Sequence, residues 1–428
     1  MPFNYQSFCS EPWSQLEIDT QGNFKMCCLA NAGKDYGMSL DSDGHVMNVM
    51  THSFQEGVNS ETHKSHRIML RNNEKPERCN SCYLSEAAGP GAMSKRQRVI
   101  GQTVREIPEY VNVRTADEFT AEDGTSTARV VNLDLRLGNL CNYQCIMCSP
   151  EFSSLWKTDW EDMKAEPHRL KSADKYLLND PPKWWETEVW WNKFDAISPE
   201  LRYIYFTGGE PLLVQAMEEC LTRLISGGHA KDIILRYDTN LSALNRRVID
   251  KWKHFRRVDL CVSVDEVGDR YHIIRNPGNF ERFDKNLRTV IAEGFTVEIM
   301  TSCIGLATIY SIPRVSDYAD SLGIQAGFRY LFGPVWLDIR ILPQSAKLEV
   351  IDKLNQVTGS SRLRSFIDAE IKVLENSMDM HHPDRIESFV RIMDRLDTSR
   401  GTNWRTTLDD VYDLLSRHCP DAFVNNGM

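Results

Sequence analysis

From residue 130 onward, the chain alternates short apolar runs with amphipathic stretches. The apolar runs are typical of buried strands and fall at 130–137, 202–206, 232–237, 258–264, 296–301 and 326–331. Between most of them, apolar residues recur at helical spacing, as in 214–225, which is followed by Gly227 and Gly228. Strands that alternate with helices predict βαβ units and a parallel sheet. Because six strands are too few for a closed eight-stranded barrel, we expect an α/β fold with a partial (β/α)6 TIM-like barrel.

The regions that flank this barrel differ from it in composition and in hydrophobic pattern. Residues 1–88 are rich in Cys, Asn, Gly and His and show no long helical periodicity, so we expect a small separate domain there. Residues 89–129 are polar and include Gly89-Pro90-Gly91, which predicts a linker with one short helix. The chain after the last strand shows helical patterns. The predicted parts are therefore 1–88, 89–129, the barrel at 130–335 and a helical C-terminal region at 336–428.

The charge balance argues against several classes of function. Lys and Arg number 50 and Asp and Glu number 60, and a net charge of -10 argues against a nucleic-acid partner. No stretch approaches the roughly 18 consecutive apolar residues of a membrane helix, so we expect no membrane partner. No Lys or Arg precedes Lys25 and no apolar segment of the signal-peptide kind is visible. The expected location is the cytoplasm, where thiols stay reduced.

The twelve cysteines carry the chemical information. Four stand alone, and eight cluster at Cys9, Cys27, Cys28, Cys79, Cys82, Cys141, Cys145 and Cys148. In a chain from a reducing compartment, close pairs and triplets are typical of metal ligands rather than disulfides.

The triplet Cys141, Cys145 and Cys148 directly follows the first predicted barrel strand. Thiolates are the ligands of iron–sulfur clusters, and three of them can hold three irons of a 4Fe–4S cube. The fourth iron is then open to a substrate or cofactor, at the end of the strand where barrel enzymes place their active sites. A structural zinc loop is the alternative, and it would need a fourth ligand, for which His168 is the nearest candidate.

The spacing CxxxCxxC after a first strand, here CNYQCIMC, resembles the signature of the radical S-adenosylmethionine (SAM) enzymes. Further along, Gly208, Gly209 and Glu210 follow the second strand and resemble the family's GGE loop, which contacts the methionine amino group of SAM. Glycines allow close backbone approach, and a carboxylate suits an ammonium group.

Other positions extend the resemblance along the barrel. Asp238-Thr239-Asn240 resembles the family's Thr-Asn-Gly, although Leu241 stands where the family has glycine. By the same resemblance, Asn240 and Ser263 are expected to contact the ribose of SAM, with Asp265 as a weaker candidate. The segment with Arg275 is similar to the one whose arginine meets the SAM carboxylate.

The resemblance implies the cofactors and the chemistry. A reduced 4Fe–4S cluster passes an electron to SAM, and the resulting 5′-deoxyadenosyl radical abstracts hydrogen from a substrate. The expected partners are the substrate and an electron donor such as flavodoxin or ferredoxin.

A second set of cysteines lies in the first 88 residues. Cys9, Gly22 and Cys27, followed later by Cys79 and Cys82, resemble the opening of the SPASM/twitch domains of radical SAM enzymes, here placed ahead of the barrel. The resemblance implies one auxiliary 4Fe–4S cluster held by those four cysteines. Cys28 is an extra thiol, and a four-cysteine zinc site is the alternative. The histidines of this region have no ligand spacing to the cysteines and are expected at the surface; they are His45, His52, His63 and His66.

Several functions remain open at this point. The resemblance favours radical modification of a ribosomally made peptide or a protein side chain, and the alternatives are a sugar, nucleoside or other small metabolite, or a non-catalytic iron–sulfur or zinc scaffold. Cys303, after the fifth strand, is a candidate hydrogen donor, but a small buried thiol at a strand end is the favoured interpretation. No residue is assigned a catalytic role. The substrate, the bond formed and the fate of SAM are not specified by any residue pattern.

Overall fold

The computed structural model describes residues 3–4, 6–30, 36–87, 94–168 and 180–424. The chain forms two compact units. The first comprises Met1–Gly138, Pro181–Tyr237 and Asn245–Asp259, and the second comprises Asn139–Asp180, Asp238–Leu244 and Leu260–Met428. The division into parts at residues 88, 129 and 335 stays a prediction.

The strands form one sheet in the order β2-β1-β3-β4-β5-β6-β7-β8. Their bounds are β1 Gln15–Ile18, β2 Phe24–Lys25, β3 Asn132–Arg136, β4 Tyr203–Thr207, β5 Ile234–Thr239, β6 Arg257–Ser263, β7 Thr296–Ile304 and β8 Gln325–Tyr330. Strand β1 pairs with β2 antiparallel, whereas the pairings β1–β3, β3–β4, β4–β5 and β7–β8 are parallel. The predicted α/β fold with six strands after residue 130 is confirmed, and β1 adds a strand that the hydrophobic pattern did not reveal.

Helices connect these strands and form the C-terminal region. The α-helices are α1 Glu11–Ser14, α2 Phe54–Gly57, α3 Glu61–Arg71, α4 Asn80–Ala87, α5 Lys95–Arg98, α6 Val104–Glu106, α7 Trp156–Asp162, α8 Glu188–Ile197, α9 Gln215–Ser226, α10 Arg246–Trp252, α11 Asp269–Ile274, α12 Phe280–Ala292, α13 Ser311–Ser321, α14 Gln344–Asn355, α15 Ser361–Glu375, α16 Pro383–Arg400, α17 Trp404–Thr407 and α18 Asp409–His418. The predicted helical character of the C-terminal region is confirmed. Of the described helices, none is both long and apolar enough to cross a membrane.

Helix α3 departs from the expectation that residues 1–88 contain no long helix. Its eleven residues bury Thr62, His63, His66 and Arg67 alongside Leu70. Because most of its buried face is polar, a search for recurring apolar residues does not mark this helix. Arg67 is satisfied within the first unit by the carbonyls of Pro12 and Gly124, at 2.7 and 2.8 Å.

Residues after 94 contribute to the core of the first unit. Val111, Val113, Ala116 and Ala128 pack in one apolar cluster with Phe3, Phe8, Trp13 and Leu70. The rings of Phe3, Phe8 and Trp13 lie edge-on or tilted to one another, at centroid distances of 5.2 to 5.8 Å. This cluster holds the N-terminal residues around Cys9 in a defined place.

In the second unit, one core joins the cysteine loop to the C-terminal helices. Ile146, from that loop, and Trp156, from α7, share an apolar cluster with buried residues of α14, α15 and α16. Arg400 of α16 lies 4.8 Å over the Trp156 ring and pairs with Asp159 at 2.9 Å. The C-terminal helices therefore support the loop that carries the cysteine triplet.

Candidate functional site

The triplet loop leaves β3 and is held by backbone hydrogen bonds to a distant segment of the second unit. The amides of Gln144 and Ile146 donate to the carbonyls of Asn276 and Ile274, at 2.7 and 3.0 Å. The indole Nε1 of Trp156 donates to the Cys145 carbonyl at 2.9 Å. These bonds position the backbone on both sides of Cys145.

Nitrogen donors surround two of the three thiols. The Tyr143 amide donates to Cys141 Sγ at 3.4 Å, and Asn240 Nδ2 lies 4.0 Å from the same sulfur. Arg275 Nη1 donates to Cys145 Sγ at 3.6 Å. Burial raises the pKa of Cys145, which the Arg275 guanidinium opposes, and burial raises the pKa of Cys148 to about 12. Thiolates at these positions therefore require a compensating positive charge, as cluster irons would supply.

A small amide and hydroxyl network fixes Asn240 beside the triplet loop. Asn142 Nδ2 donates to Ser242 Oγ at 2.8 Å, and that hydroxyl donates to Asn240 Oδ1 at 2.6 Å. Leu241, between them in sequence, has φ +59, in the left-handed region that favours glycine. Leu241 thus adopts the backbone conformation typical of the glycine that the family has at this position, and the leucine side chain is fully buried.

Arg275 is deeply buried and has a second partner besides Cys145. Its Nε pairs with Asp265 Oδ2 at 2.6 Å, and both side chains are at most 7% exposed. Ser263 is the last residue of β6 and is half-buried. The second unit thus brings Arg275 and Asn240 onto the cysteine loop, while their contacts with SAM stay predictions.

The turn that presents Arg275 has no room for a side chain at position 278, which is a glycine. A Cβ there would lie 2.6 Å from the Arg275 carbonyl, 2.6 Å from Tyr271 Cε1 and 3.1 Å from Tyr143 Cε2. The first of these contacts is to backbone, which cannot move aside as a flexible side chain can.

Gly278→Ala is expected to destabilise the protein by about 1–3 kcal/mol, because it overpacks this turn. It should also weaken iron binding at the triplet, since Arg275 and Tyr143 would both shift. Thermal unfolding and iron content measure the two effects. Gly101→Ala is the matched control, because nothing lies within 4 Å of its added Cβ. Equal melting temperatures for the two variants would contradict the packing argument.

The GGE loop lies in the first unit, directly after β4. Gly208 has φ +116, and a Cβ there would lie 3.1 Å from the Gly138 carbonyl, so the loop needs glycine at this place. Glu210 is 1% exposed, and its Oε1 accepts from the Leu212 amide at 3.0 Å. Gly209 is half-buried. The carboxylate is therefore held in one orientation, as recognition of a ligand ammonium requires.

The four N-terminal cysteines predicted as ligands line a single cavity of about 30 Å³ in the first unit; they are Cys9, Cys27, Cys79 and Cys82. Cys28 is not among the residues that line it. The structure thus brings together residues as far apart in sequence as Cys9 and Cys82, and it places Cys27 rather than Cys28 at the cavity wall.

Each of these four thiols has a hydrogen-bonding nitrogen next to it. His66 Nε2 lies 3.8 Å from Cys79 Sγ, and Lys95 Nζ lies 3.6 Å from Cys27 Sγ. Burial raises the pKa of Cys9, and a backbone hydrogen bond from Glu11 opposes the rise. Burial likewise raises the pKa of Cys82 against a backbone hydrogen bond from Arg96. Hydrogen bonds to the sulfurs are a recognised feature of iron–sulfur sites, so the cavity suits four thiolates around one cluster.

The spacing of the thiols also bears on the zinc alternatives. Tetrahedral zinc with bonds of about 2.3 Å would hold its sulfurs about 3.8 Å apart. Among the described residues, the only potential ligand group of three or more within 4.8 Å is formed by the half-buried Asp41 and the exposed Asp43 and His45, and it contains no cysteine. His168, the candidate fourth zinc ligand for the triplet, pairs with Asp384 at 2.8 Å. Both cysteine sets are therefore more open than a zinc tetrahedron.

The histidine prediction is wrong for two of the four residues. His63 and His66 are fully buried, and burial lowers the pKa of His66 to about 3, so this ring is neutral. Lys95 was missed as well, because its segment has the composition of a linker. No local sequence signal could have revealed the contact of His66 with Cys79 or that of Lys95 with Cys27, since each depends on the packing of separate chain segments. Cys303 is 6% exposed at the end of β7, in accordance with a buried strand-end thiol.

The first unit carries a row of polar residues on one face of its sheet. Lys25, Glu17, Asp134, Tyr205 and Arg236 are successive register partners across β2, β1, β3, β4 and β5. The opposite face is apolar; there the rings of Phe206 and Tyr237 stack at 5.2 Å, and the Tyr237 hydroxyl meets Met217 of α9. Because α9 covers the apolar face, the polar row belongs to the other face of the sheet.

Within that row two carboxylates lie side by side in the interior. Glu17 and Asp134 are at most 1% exposed, and Arg136 Nη2 lies 3.1 Å from Glu17. Burial, reinforced by Glu17, raises the pKa of Asp134 well above its usual value. The burial of two neighbouring carboxylates therefore disfavours the charged form of Asp134.

Comparison with known families identifies both cysteine regions. The model of the radical SAM superfamily matches residues 135–310, and that of an iron–sulfur cluster-binding domain, SPASM, matches residues 9–83. The chain therefore carries a radical SAM domain, and a SPASM iron–sulfur domain precedes it. Its cofactors are a 4Fe–4S cluster that binds SAM, an auxiliary cluster and SAM itself, as predicted. No curated protein sequence matches the chain.

Several solved structures resemble the chain in part. One, described as native anSMEcpe with bound AdoMet, is 13% identical and covers 52% of this chain and 58% of its own, with a TM-score of 0.36. SuiB from Streptococcus suis bound to S-adenosylmethionine is 12% identical over 77% of this chain and 67% of its own, with a TM-score of 0.34. The radical SAM methyltransferase TsrM from Kitasatospora setae is 12% identical over 51% of this chain and 37% of its own, with a TM-score of 0.31.

Proposed function

We propose that Cys141, Cys145 and Cys148 hold the cluster that binds SAM. The contact between Arg275 Nη1 and Cys145 Sγ, at 3.6 Å, is the observation that carries this assignment. It puts a buried cation on a thiol of the CxxxCxxC loop, where a cluster held by thiolates would be negatively charged. When bound, the reduced cluster would supply an electron that cleaves SAM to methionine and a 5′-deoxyadenosyl radical, and the radical would take hydrogen from the substrate.

The surrounding residues have binding and positioning roles in this proposal. Glu210, held by the Leu212 amide, accepts hydrogen bonds from the amino group of SAM. Asn240 and Ser263 bind the ribose, and Arg275 positions Cys145 and meets the SAM carboxylate. The Asn142–Ser242 network supports these roles, because it restricts Asn240 to one orientation.

The four N-terminal cysteines hold the auxiliary cluster in the same proposal. The shared cavity and the nitrogen donor beside each thiol support it. With four thiolates every iron is saturated, so this cluster relays electrons after hydrogen abstraction and does not anchor the substrate.

The substrate in this proposal is a ribosomally made peptide or a protein side chain. The polar row on the sheet of the first unit supports it through Arg236, which is half-buried and positively charged, whereas Lys25 and Glu17 are buried and Glu17 is paired with Arg136. A peptide has charged side chains and termini as well as amides that match such a row. The hydroxyls of a sugar carry no charge and gain less from it.

A flavodoxin or ferredoxin is the proposed electron donor, and the cytoplasm is the proposed location. None of the twelve cysteines, all of which lie in the described residues, forms a disulfide, which is in accordance with a reducing compartment.

Deuterium transfer tests the substrate class. Reduced, reconstituted enzyme is expected to move deuterium from a labelled peptide into 5′-deoxyadenosine. Arg236→Met should raise the KM for that peptide about tenfold, the cost of one charge-assisted hydrogen bond. Arg247→Met, with an exposed side chain in the same unit, is the matched control and should leave KM unchanged. Deuterium transfer from a labelled sugar or nucleoside, and none from the peptide panel, would instead favour the small-metabolite alternative.

A further inference from the structure

Lys95 extends an ammonium group to the auxiliary cysteines from outside the matched iron–sulfur segment, which ends at residue 83. Its Nζ lies 3.6 Å from Cys27 Sγ and 3.4 Å from Cys28 Sγ. The lysine side chain is only 14% exposed. A buried lysine directed at two thiols is costly to maintain without a negatively charged partner nearby.

The neighbours of Lys95 hold it in this orientation. Its Nζ pairs with Glu11 Oε2 at 2.9 Å and donates to Gln15 Oε1 at 3.2 Å. Ser94 begins the short helix α5 with a capping box to Gln97, which fixes the backbone from which the lysine extends. The ammonium is therefore a preorganised donor rather than a mobile surface group.

Lys95 differs in charge from the other donors to the four thiols. His66 presents an imidazole nitrogen, Nε2, 3.8 Å from Cys79 Sγ. Cys9 and Cys82 receive backbone hydrogen bonds, from Glu11 and Arg96 respectively. Lys95 is the only one of these four donors whose donating atom is an ammonium nitrogen; Arg78 and Arg96 also line the cavity, and Arg96 is paired with Glu86.

We infer that Lys95 tunes the reduction potential of the auxiliary cluster through its hydrogen bond to Cys27. The inference rests on the proposed assignment of Cys9, Cys27, Cys79 and Cys82 as cluster ligands. Net charge and hydrogen bonds to sulfur are the two properties by which proteins set such potentials. A cation on one thiolate stabilises the reduced, more negative cluster and so raises its potential. Lys95 is thus a positioning and tuning residue for electron transfer.

The test uses the full chain with Cys141, Cys145 and Cys148 replaced by Ala, so that one cluster remains. Redox titration followed by electron paramagnetic resonance gives its midpoint potential. Lys95→Met is expected to shift the oxidised-to-reduced equilibrium at least tenfold toward the oxidised form, about 59 mV for one electron. Lys95→Arg keeps the charge and should retain most of the original value.

Glu11 needs its own control, because Lys95→Met also leaves this carboxylate without its ion pair. Glu11→Gln should raise the potential, and adding Lys95→Met to it should still lower the potential relative to Glu11→Gln alone. Equal potentials for Glu11→Gln and the double variant, at equal iron content, would overturn the inference. If the variant with Cys141, Cys145 and Cys148 replaced by Ala bound no cluster at all, the assignment of the four N-terminal cysteines as cluster ligands would instead be rejected, whatever the role of Lys95.

Discussion

Cys145→Ala is expected to abolish reductive cleavage of SAM. Cys145 is the buried member of the triplet, and Arg275 Nη1 and the Trp156 indole contact its sulfur and its carbonyl. Loss of a partner outside the ligand set already costs about 10–100-fold in affinity or activity at metal sites. Loss of one of three ligands should therefore lower the yield of 5′-deoxyadenosine by more than 100-fold. Anaerobic reconstitution, reduction and chromatography of the products measure it.

Cys220→Ala is the matched control for that variant. Cys220 is likewise fully buried, but it lies on α9 in the first unit, among the apolar residues of that helix. The control should lose some stability and keep its iron and its SAM cleavage. Robust cleavage of SAM by Cys145→Ala would contradict the proposal that the triplet holds the cluster that binds SAM.

Replacement of Cys79 and Cys82 by Ala is expected to separate the two clusters. The variant should lose about four irons per chain, the content of one cube. It should still cleave SAM, because the triplet and the GGE loop are untouched. It should nevertheless fail to convert the substrate, since the proposed electron relay by the auxiliary cluster would follow hydrogen abstraction. Iron content, 5′-deoxyadenosine and product are measured on the same folded sample.

Cys28→Ala is the control for the double replacement, because Cys28 does not line the cavity. It should retain both clusters and product formation. Full conversion by the Cys79 and Cys82 variant would reduce residues 9–88 to a structural role. Zinc in place of iron after anaerobic purification would contradict the assignment of an iron–sulfur cluster to the four N-terminal cysteines.

The strands of the barrel could be predicted because each is a local pattern. The runs at 202–206 and 258–264 correspond to β4 and β6 within a few residues. Strand β1 could not be predicted in this way. Its four residues, Gln15–Ile18, alternate between polar and apolar, but so short a run does not stand out from its surroundings, and all four residues are buried rather than only the apolar pair. Its parallel pairing with β3 depends on segments more than 110 residues apart.

The cysteine spacings and the glycine-rich loop are properties of short segments, and the sequence alone therefore determined the superfamily and its cofactors. The tertiary structure decided what surrounds the sulfurs. Arg275 meets Cys145 across 130 residues of chain, and Lys95 meets Cys27 across 68. Such contacts require the whole core to pack, because their geometry is set by the elements that carry them and not by neighbours in sequence. The same reason explains His66, whose surroundings became apparent only when α3 was packed against the auxiliary cysteines.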